Sequence, residues 1–249
     1  MFPTIQLGPV QFPVKPFMLL VALYVFLWLG EKEARRLGLR GEKIWDIGFY
    51  SIIVGIVVGR AAHVAFNWHS YKGDLPQALS LNTNTFVLWP ALLAVFLTWV
   101  VYARLNGIPM LLLADALSPG AALAWALVSL GDLASGDAYG SPTSLPWGID
   151  LWGAQRHPTQ IYYMVGVLVL FLALWLRRKK ASTGEQTLLF LGGAGAIMLF
   201  VGAFRANPGT TIGGLRTEQV IGLILLAGAL AADFFGCCTV RQERSTPTR

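Results

Sequence analysis

Residues 129–150, SLGDLASGDAYGSPTSLPWGID, place Asp132, Asp137 and Asp150 among glycines and serines in a chain that is otherwise strongly apolar. Grouped carboxylates can take or hold protons, which makes Asp132 and Asp137 candidate catalytic groups. The plainer alternative is solvated turn residues, helped by Gly136, Gly140 and Gly148. Just beyond, QRHPTQIYYM (155–164) supplies the imidazole of His157, a rigid His-Pro turn, Gln160 and Tyr162. Imidazole titrates near neutrality, so His157 is a candidate base. Arg60 and His63 stand about one turn apart in IIVGIVVGRAAHVAF and share a helical face. A cation within an apolar segment faces a partner or a watery cavity. Arg60 is therefore expected to point inward, at a phosphate or at Asp115, Asp132 or Asp137; a structural salt bridge is the alternative. His63 reads as a packing residue, because no second histidine or cysteine stands at metal-ligand spacing, and no metal site is expected. Asp115, in LLLADALSPG before a proline-glycine break, reads as a cap or a re-entrant turn. One of Tyr162 and Tyr163 is expected in an aromatic belt at headgroup level.

The elements that must hold these groups follow from composition. Of 249 residues, 55% are hydrophobic and 13% charged, with nine tryptophans. Seven apolar runs, near 14–30, 44–66, 85–103, 110–130, 160–176, 186–204 and 218–235, are long enough to cross about 30 Å of hydrocarbon. They lack the short alternating pattern of a barrel, so the expected fold is all-α, a polytopic membrane bundle of seven transmembrane helices. Lys32, Arg35, Arg36, Arg40, Lys43, Arg104, Arg177, Arg178, Lys179, Lys180, Arg241, Arg244 and Arg249 fall on one side of such a bundle, thirteen of the nineteen basic residues. That side is expected to be cytoplasmic, giving an N-out/C-in topology with the polar loop between the fourth and fifth helices outside. The net charge of +6 then reflects topology and anionic lipid, with no nucleic acid as partner. Residues 1–235 read as one transmembrane domain and 236–249 as a polar cytoplasmic tail. The N-terminus lacks the basic region and cleavage site of a signal peptide. Cys237 and Cys238, placed in a reducing compartment, do not suggest a disulfide framework.

The order of the polar pieces resembles the prolipoprotein diacylglyceryl transferase family. GRAAHVAFNW (59–68) resembles its Gly-Arg element, ADALSPGAAL (114–123) its Asp-Ala-x-x-Pro segment, and LGDLASGDAYGSPTSLPWG (130–148) its signature loop. HPTQIYY (157–163) is similar to its His-Pro-Ser/Thr-Gln-Leu-Tyr motif, and LFVGAFR (199–205) with TEQVIGLILL (217–226) to its last two helices. The resemblance implies a multi-pass protein of the bacterial plasma membrane that needs no cofactor. Its substrates would be phosphatidylglycerol and the signal peptides of prolipoproteins. Glycerol phosphate would be displaced and the diacylglyceryl group attached to a lipobox cysteine thiol. Such a reaction needs cations for the lipid phosphate and a base for a thiol whose free pKa is near 8.5. Arg60, Arg205, Gly140 and Gln160 are then the expected substrate-binding residues, and Asp137, His157 and Asp132 the expected catalytic ones.

Several positions depart from the family pattern. Ser129 and Asp132 stand where the loop has arginine and asparagine, Met198 and Gly202 where the sixth helix has arginine and glutamate, and the third-helix histidine falls near Trp89. Lys15-Pro16 lies near the place of a tyrosine before the first helix. These exchanges remove cations and add a negative charge beside the expected phosphate. Two readings follow: a divergent transferase, or a repurposed lipid-binding membrane protein or complex subunit that has lost catalysis.

Overall fold

Backbone amides in an apolar run must find acceptors within the run, and all seven runs do so by forming helices. The computed structural model describes residues 4–7, 10–72, 75–78, 85–206, 211–212 and 214–236. A hairpin of β1 (Thr4–Leu7) and β2 (Val10–Pro13) leads into α1 (Val14–Arg36), followed by α2 (Glu42–Phe66) and two single turns, α3 (Trp68–Tyr71) and α4 (Leu75–Ala78). Then come α5 (Leu88–Leu105), α6 (Met110–Ser135), a hairpin of β3 (Ile149–Leu151) and β4 (Ala154–Arg156), α7 (Thr159–Arg177) and α8 (Glu185–Gly202). A last hairpin, β5 (Thr211–Ile212) with β6 (Leu215–Arg216), precedes α9 (Thr217–Phe234). The architecture is a mostly helical, multi-pass membrane bundle in which α1, α2, α5, α6, α7, α8 and α9 are long and apolar enough to span. The expected tail residues 237–249, Cys237 and Cys238 included, lie outside the described residues.

Alternate helix directions sort the connections into two ends. The 136–158 loop, the start of α1 and the start of α9 share one end, called the loop end here. Lys32–Lys43 and Arg177–Lys180 share the other, the basic end. The central helix is α6, which packs on α1, α7 and α8. Small residues make this close: a Cβ on Gly120 would stand 2.8 Å from the Phe26 carbonyl oxygen. The seam between α8 and α9 is closer still, since a Cβ on Gly195 would meet the Gly222 carbonyl at 2.6 Å and one on Gly222 the Gly195 carbonyl at 2.7 Å.

Two expectations need correction. α6 continues through Pro119 without a break, so Asp115 lies in a helix and not in a re-entrant turn. Tight neighbours hold the proline in line, and the Ser118 hydroxyl bonds back to Ala114 O at 2.8 Å. The same helix runs to Ser135, which puts Asp132 in its last turn and leaves 136–158 as the connection. Three short hairpins, with strands of two to four residues, accompany the helices among the described residues.

Candidate functional site

The loop-end cluster is assembled on a small sheet that the loop makes with two helix termini. Gly140 N donates to His157 O at 3.1 Å and His157 N to Ser141 O at 3.0 Å, while Ser141 N donates to Phe204 O at 2.7 Å and Ala206 N to Tyr139 O at 3.1 Å. Residues 139–141 thus lie between the segment that starts α7 and the segment that ends α8. Gly140 is where the strands come closest: a Cβ there would collide with the His157 carbonyl oxygen and lie 2.5 Å from His157 Cβ. Its role is to let the loop press on His157, and it pairs across a β-bridge with Arg205.

The His-Pro-Thr-Gln run fixes the loop from beneath. Ala138 holds a left-handed φ of 55°, an uncommon state for a residue with a Cβ. The Thr159 hydroxyl donates to Ala138 O at 2.6 Å and the Gln160 amide to Asp137 O at 2.6 Å, which holds that turn in place. Gln160 is only 1% exposed, and its Oε1 has no hydrogen-bond partner.

Charges at this end are paired in two groups. Lys15 from α1 bridges Asp132 at 2.9 Å and Asp137 at 2.8 Å. The Lys15 hydrogen bond holds the Asp137 carboxyl below the usual carboxylate range, so Asp137 is ionised and a weak base near neutrality. Arg205 forms an ion pair with Glu218 of α9, whose other oxygen accepts the Tyr163 hydroxyl at 3.1 Å. Arg216 donates through Nη1 to Gly202 O at 3.0 Å and also to Arg205 O, placing a cation on the carbonyl end of α8. The Nε of Arg205 is buried without a partner.

His157 belongs to an aromatic group. Its ring centroid lies 5.0 Å from that of Phe204, and its Nδ1 is 3.3 Å from the Tyr162 hydroxyl, which accepts the Trp147 indole N–H at 2.9 Å. Tyr163 is buried against Trp125 and Glu218. Both tyrosines therefore have partners within the cluster.

The structure thus brings Asp132, Asp137, Gly140, His157, Gln160 and Arg205 to one end of α6, α7 and α8. Arg60 is placed differently. It is 7% exposed, donates to Gln77 O at 2.8 Å and Thr85 O at 3.3 Å, and lies over the Tyr71 ring with its guanidinium carbon 5.3 Å from the centroid. α2 packs chiefly on α5 and α1, away from the α8–α9 seam. The carboxylates expected beside Arg60 have other partners, since Asp132 and Asp137 take Lys15 and Asp115 binds the start of α8. His63 packs edge-on against Tyr71, 6.2 Å between centroids. Among the described residues, no three His, Cys, Asp or Glu side chains come together as a metal site.

Sequence reasoning missed Lys15, Trp147 and Glu218. The two aspartates were the available signal, because a pair of partly enclosed carboxylates needs a cation and Lys15 falls on their side.

The model of the family described as prolipoprotein diacylglyceryl transferase matches residues 4–234. The chain belongs to the prolipoprotein diacylglyceryl transferase family. It is 30% identical over 205 residues to the phosphatidylglycerol–prolipoprotein diacylglyceryl transferase of Clostridioides difficile (strain 630), covering 82% of each chain. It is 29% identical over 240 residues to the protein of that name from Geobacillus kaustophilus (strain HTA426), covering 91% of this chain and 89% of the relative. With the protein of that name from Corynebacterium glutamicum (strain ATCC 13032) it shares 24% over 266 residues, 97% of this chain and 83% of the relative. Family members are transferases of lipoprotein biosynthesis, and this chain carries their multi-pass helical build.

Proposed function

We propose that this protein transfers a diacylglyceryl group from phosphatidylglycerol to the cysteine thiol of a prolipoprotein signal peptide at the loop end of the bundle, in the plasma membrane of a bacterium. One observation carries the reading. The family's signature loop, its His-Pro-Thr-Gln segment and the arginine ending its sixth helix converge on one backbone sheet around Gly140, His157 and Arg205. The crowding of basic residues at the opposite end supports a cytoplasmic basic end and an outward loop end.

In this reading, the lipid phosphate lies against Arg205 and Arg216. Glu218 balances Arg205, whereas the described partners of the Arg216 guanidinium are carbonyls, so its positive charge stays uncompensated. The thiol sulfur attacks the glyceryl carbon that carries the phosphate ester. A C–S bond forms, the C–O bond breaks, and the electron pair leaves on the oxygen of glycerol phosphate. Indole N–H can only donate, so Tyr162 accepts from Trp147 and directs its own proton to His157 Nδ1. The pair then acts as a relay: Tyr162 passes its proton to Nδ1 as it receives the thiol proton, and the imidazolium returns a proton to the leaving phosphate through Nε2. Asp137, held ionised by Lys15, shapes the loop and is the weaker base. Arg60 ties the end of α2 to the carbonyls of Gln77 and Thr85.

A second reading, lipid binding without transfer, draws on the Arg205–Glu218 pair, which already occupies one of the cations. Purified protein in phosphatidylglycerol-containing micelles, incubated with a lipobox peptide, separates the two. Thioether product with an equal amount of glycerol phosphate supports transfer. Retained phosphatidylglycerol without product supports binding alone.

A further inference from the structure

Glycine contact between α8 and α9 has a local consequence at their loop-end tips. Because Gly195 and Gly222 let the backbones touch, the first turn of α9 lies against the last turn of α8. A Cβ on Gly202 would stand 3.1 Å from Gln219 Cγ and 3.6 Å from Glu218 Cβ. Glu218 fills that neighbourhood with a carboxylate held at both oxygens, one by Arg205 of the α8 terminus and the other by the Tyr163 hydroxyl of α7. The backbone that carries Arg205 is held as well, by Arg216 on the carbonyls of Gly202 and Arg205. A guanidinium fixed in this way keeps its buried Nε, which has no partner, as an unused donor at a defined position.

On this geometry, and resting on the phosphate-binding reading above, we infer that Glu218 is a positioning residue for the reaction. It orients Arg205 toward the phosphodiester of the lipid, and it makes α9 a working wall of the site as well as a seventh span. Gly202 is the counterpart of this arrangement, since its missing side chain leaves room for a carboxylate that arrives from the neighbouring helix. The carboxylate also offsets the charge of Arg205, which limits how tightly a phosphate is held before and after transfer. Orientation and affinity therefore respond in opposite directions when Glu218 is removed.

The test compares the parent with Glu218→Ala, Glu218→Gln and the double variant Gly202→Glu/Glu218→Ala. Each is assayed for transfer kinetics and for binding to nanodiscs of phosphatidylglycerol against phosphatidylcholine. Glu218→Ala is expected to lower kcat about 10- to 100-fold, as a misplaced guanidinium would. Phosphatidylglycerol binding should be unchanged or tighter. The double variant, whose new side chain starts beside the vacated position, should recover most of the lost kcat. A structural role would lower folding yield and lipid binding together, with no rescue. The inference is overturned if Glu218→Ala and Glu218→Gln keep kcat within about threefold of the parent, if binding falls in parallel with kcat, or if the folded double variant stays as slow as Glu218→Ala. A parent that shows neither transfer nor preference for phosphatidylglycerol would instead defeat the functional reading itself.

Discussion

At the basic end Glu33 is 2% exposed, with Arg36 on one carboxylate oxygen at 2.6 Å and Arg178 on the other at 2.9 Å, tying α1 to the end of α7. Asp115 of α6 caps α8 from outside that helix, accepting Gly184 N at 2.5 Å, Thr187 N at 2.8 Å and the Thr187 hydroxyl at 2.6 Å. Asp115 thus takes two amides at the start of α8, where the N-cap residue Gly184 has no side chain to offer. At the loop end, by contrast, a left-handed alanine is held by force of hydrogen bonds, and the buried Arg205 Nε and Gln160 Oε1 lack partners. The basic end has one such atom among the described residues, Gln186 Oε1. Closed charge networks fasten helices, whereas strained backbone with an unused donor and an unused acceptor beside a titratable group is what a site leaves for its substrate.

This contrast can be broken by substitution, because loop-end changes should reduce turnover more than stability and basic-end changes the reverse. Arg205→Gln keeps a donor for Glu218 and removes the cation. It is expected to lower transfer about 10²- to 10³-fold at near-parent melting temperature, checked by product formation per folded molecule. Glu33→Ala removes the buried anion that ties Arg36 to Arg178, and because both guanidiniums reach solvent it should cost about 1–2 kcal/mol of stability, seen as earlier thermal aggregation, with turnover of the folded fraction intact. Gly140→Ala forces a Cβ into the His157 backbone and should slow transfer roughly 10- to 100-fold, with the lipid KM less affected. Tyr162→Phe removes the relay hydroxyl but keeps the ring, and about a tenfold fall in kcat is expected, with an altered pH profile.

How much of this could be read from sequence depended on whether the signal was local. Apolar length alone located seven spans to within a few residues, since lipid forces each run to satisfy its own backbone. α6 outlasted its apolar run because Asp132 near its end is paired with Lys15 and does not need solvent. The loop and the His-Pro-Thr-Gln run were legible as polar concentrations in an apolar chain. Their partners were not, because Lys15 reads as a topological charge and Glu218 as an ordinary acid in a helix first turn. Only the fold brings Glu218 beside Gly202. Arg60 was read as facing a phosphate or a carboxylate, or as a structural pair, and its described partners include the Gln77 and Thr85 carbonyls and the Tyr71 ring. Nothing in the spacing of Arg60 and His63 distinguishes those roles.

The smallest effect sharpens the comparison on the acid side. Asp137 has its folded pKa lowered by Lys15, so its contribution is present above the unfolded carboxyl value of about 3.9 and is lost as pH falls through the folded value. Lys15→Met should therefore move acid-induced loss of structure at the loop upward in pH, measurable by tryptophan fluorescence. The shift is small, since the Asp137 side chain is half exposed.

The most direct test measures glycerol phosphate released per folded molecule for Arg205→Gln and Glu33→Ala side by side, with phosphatidylglycerol and a lipobox peptide. The loop end as the seat of chemistry predicts that the first variant melts near the parent and loses nearly all release, while the second melts earlier and releases at the parent rate. Unchanged release in Arg205→Gln, or a catalytic loss confined to folded Glu33→Ala, would contradict it.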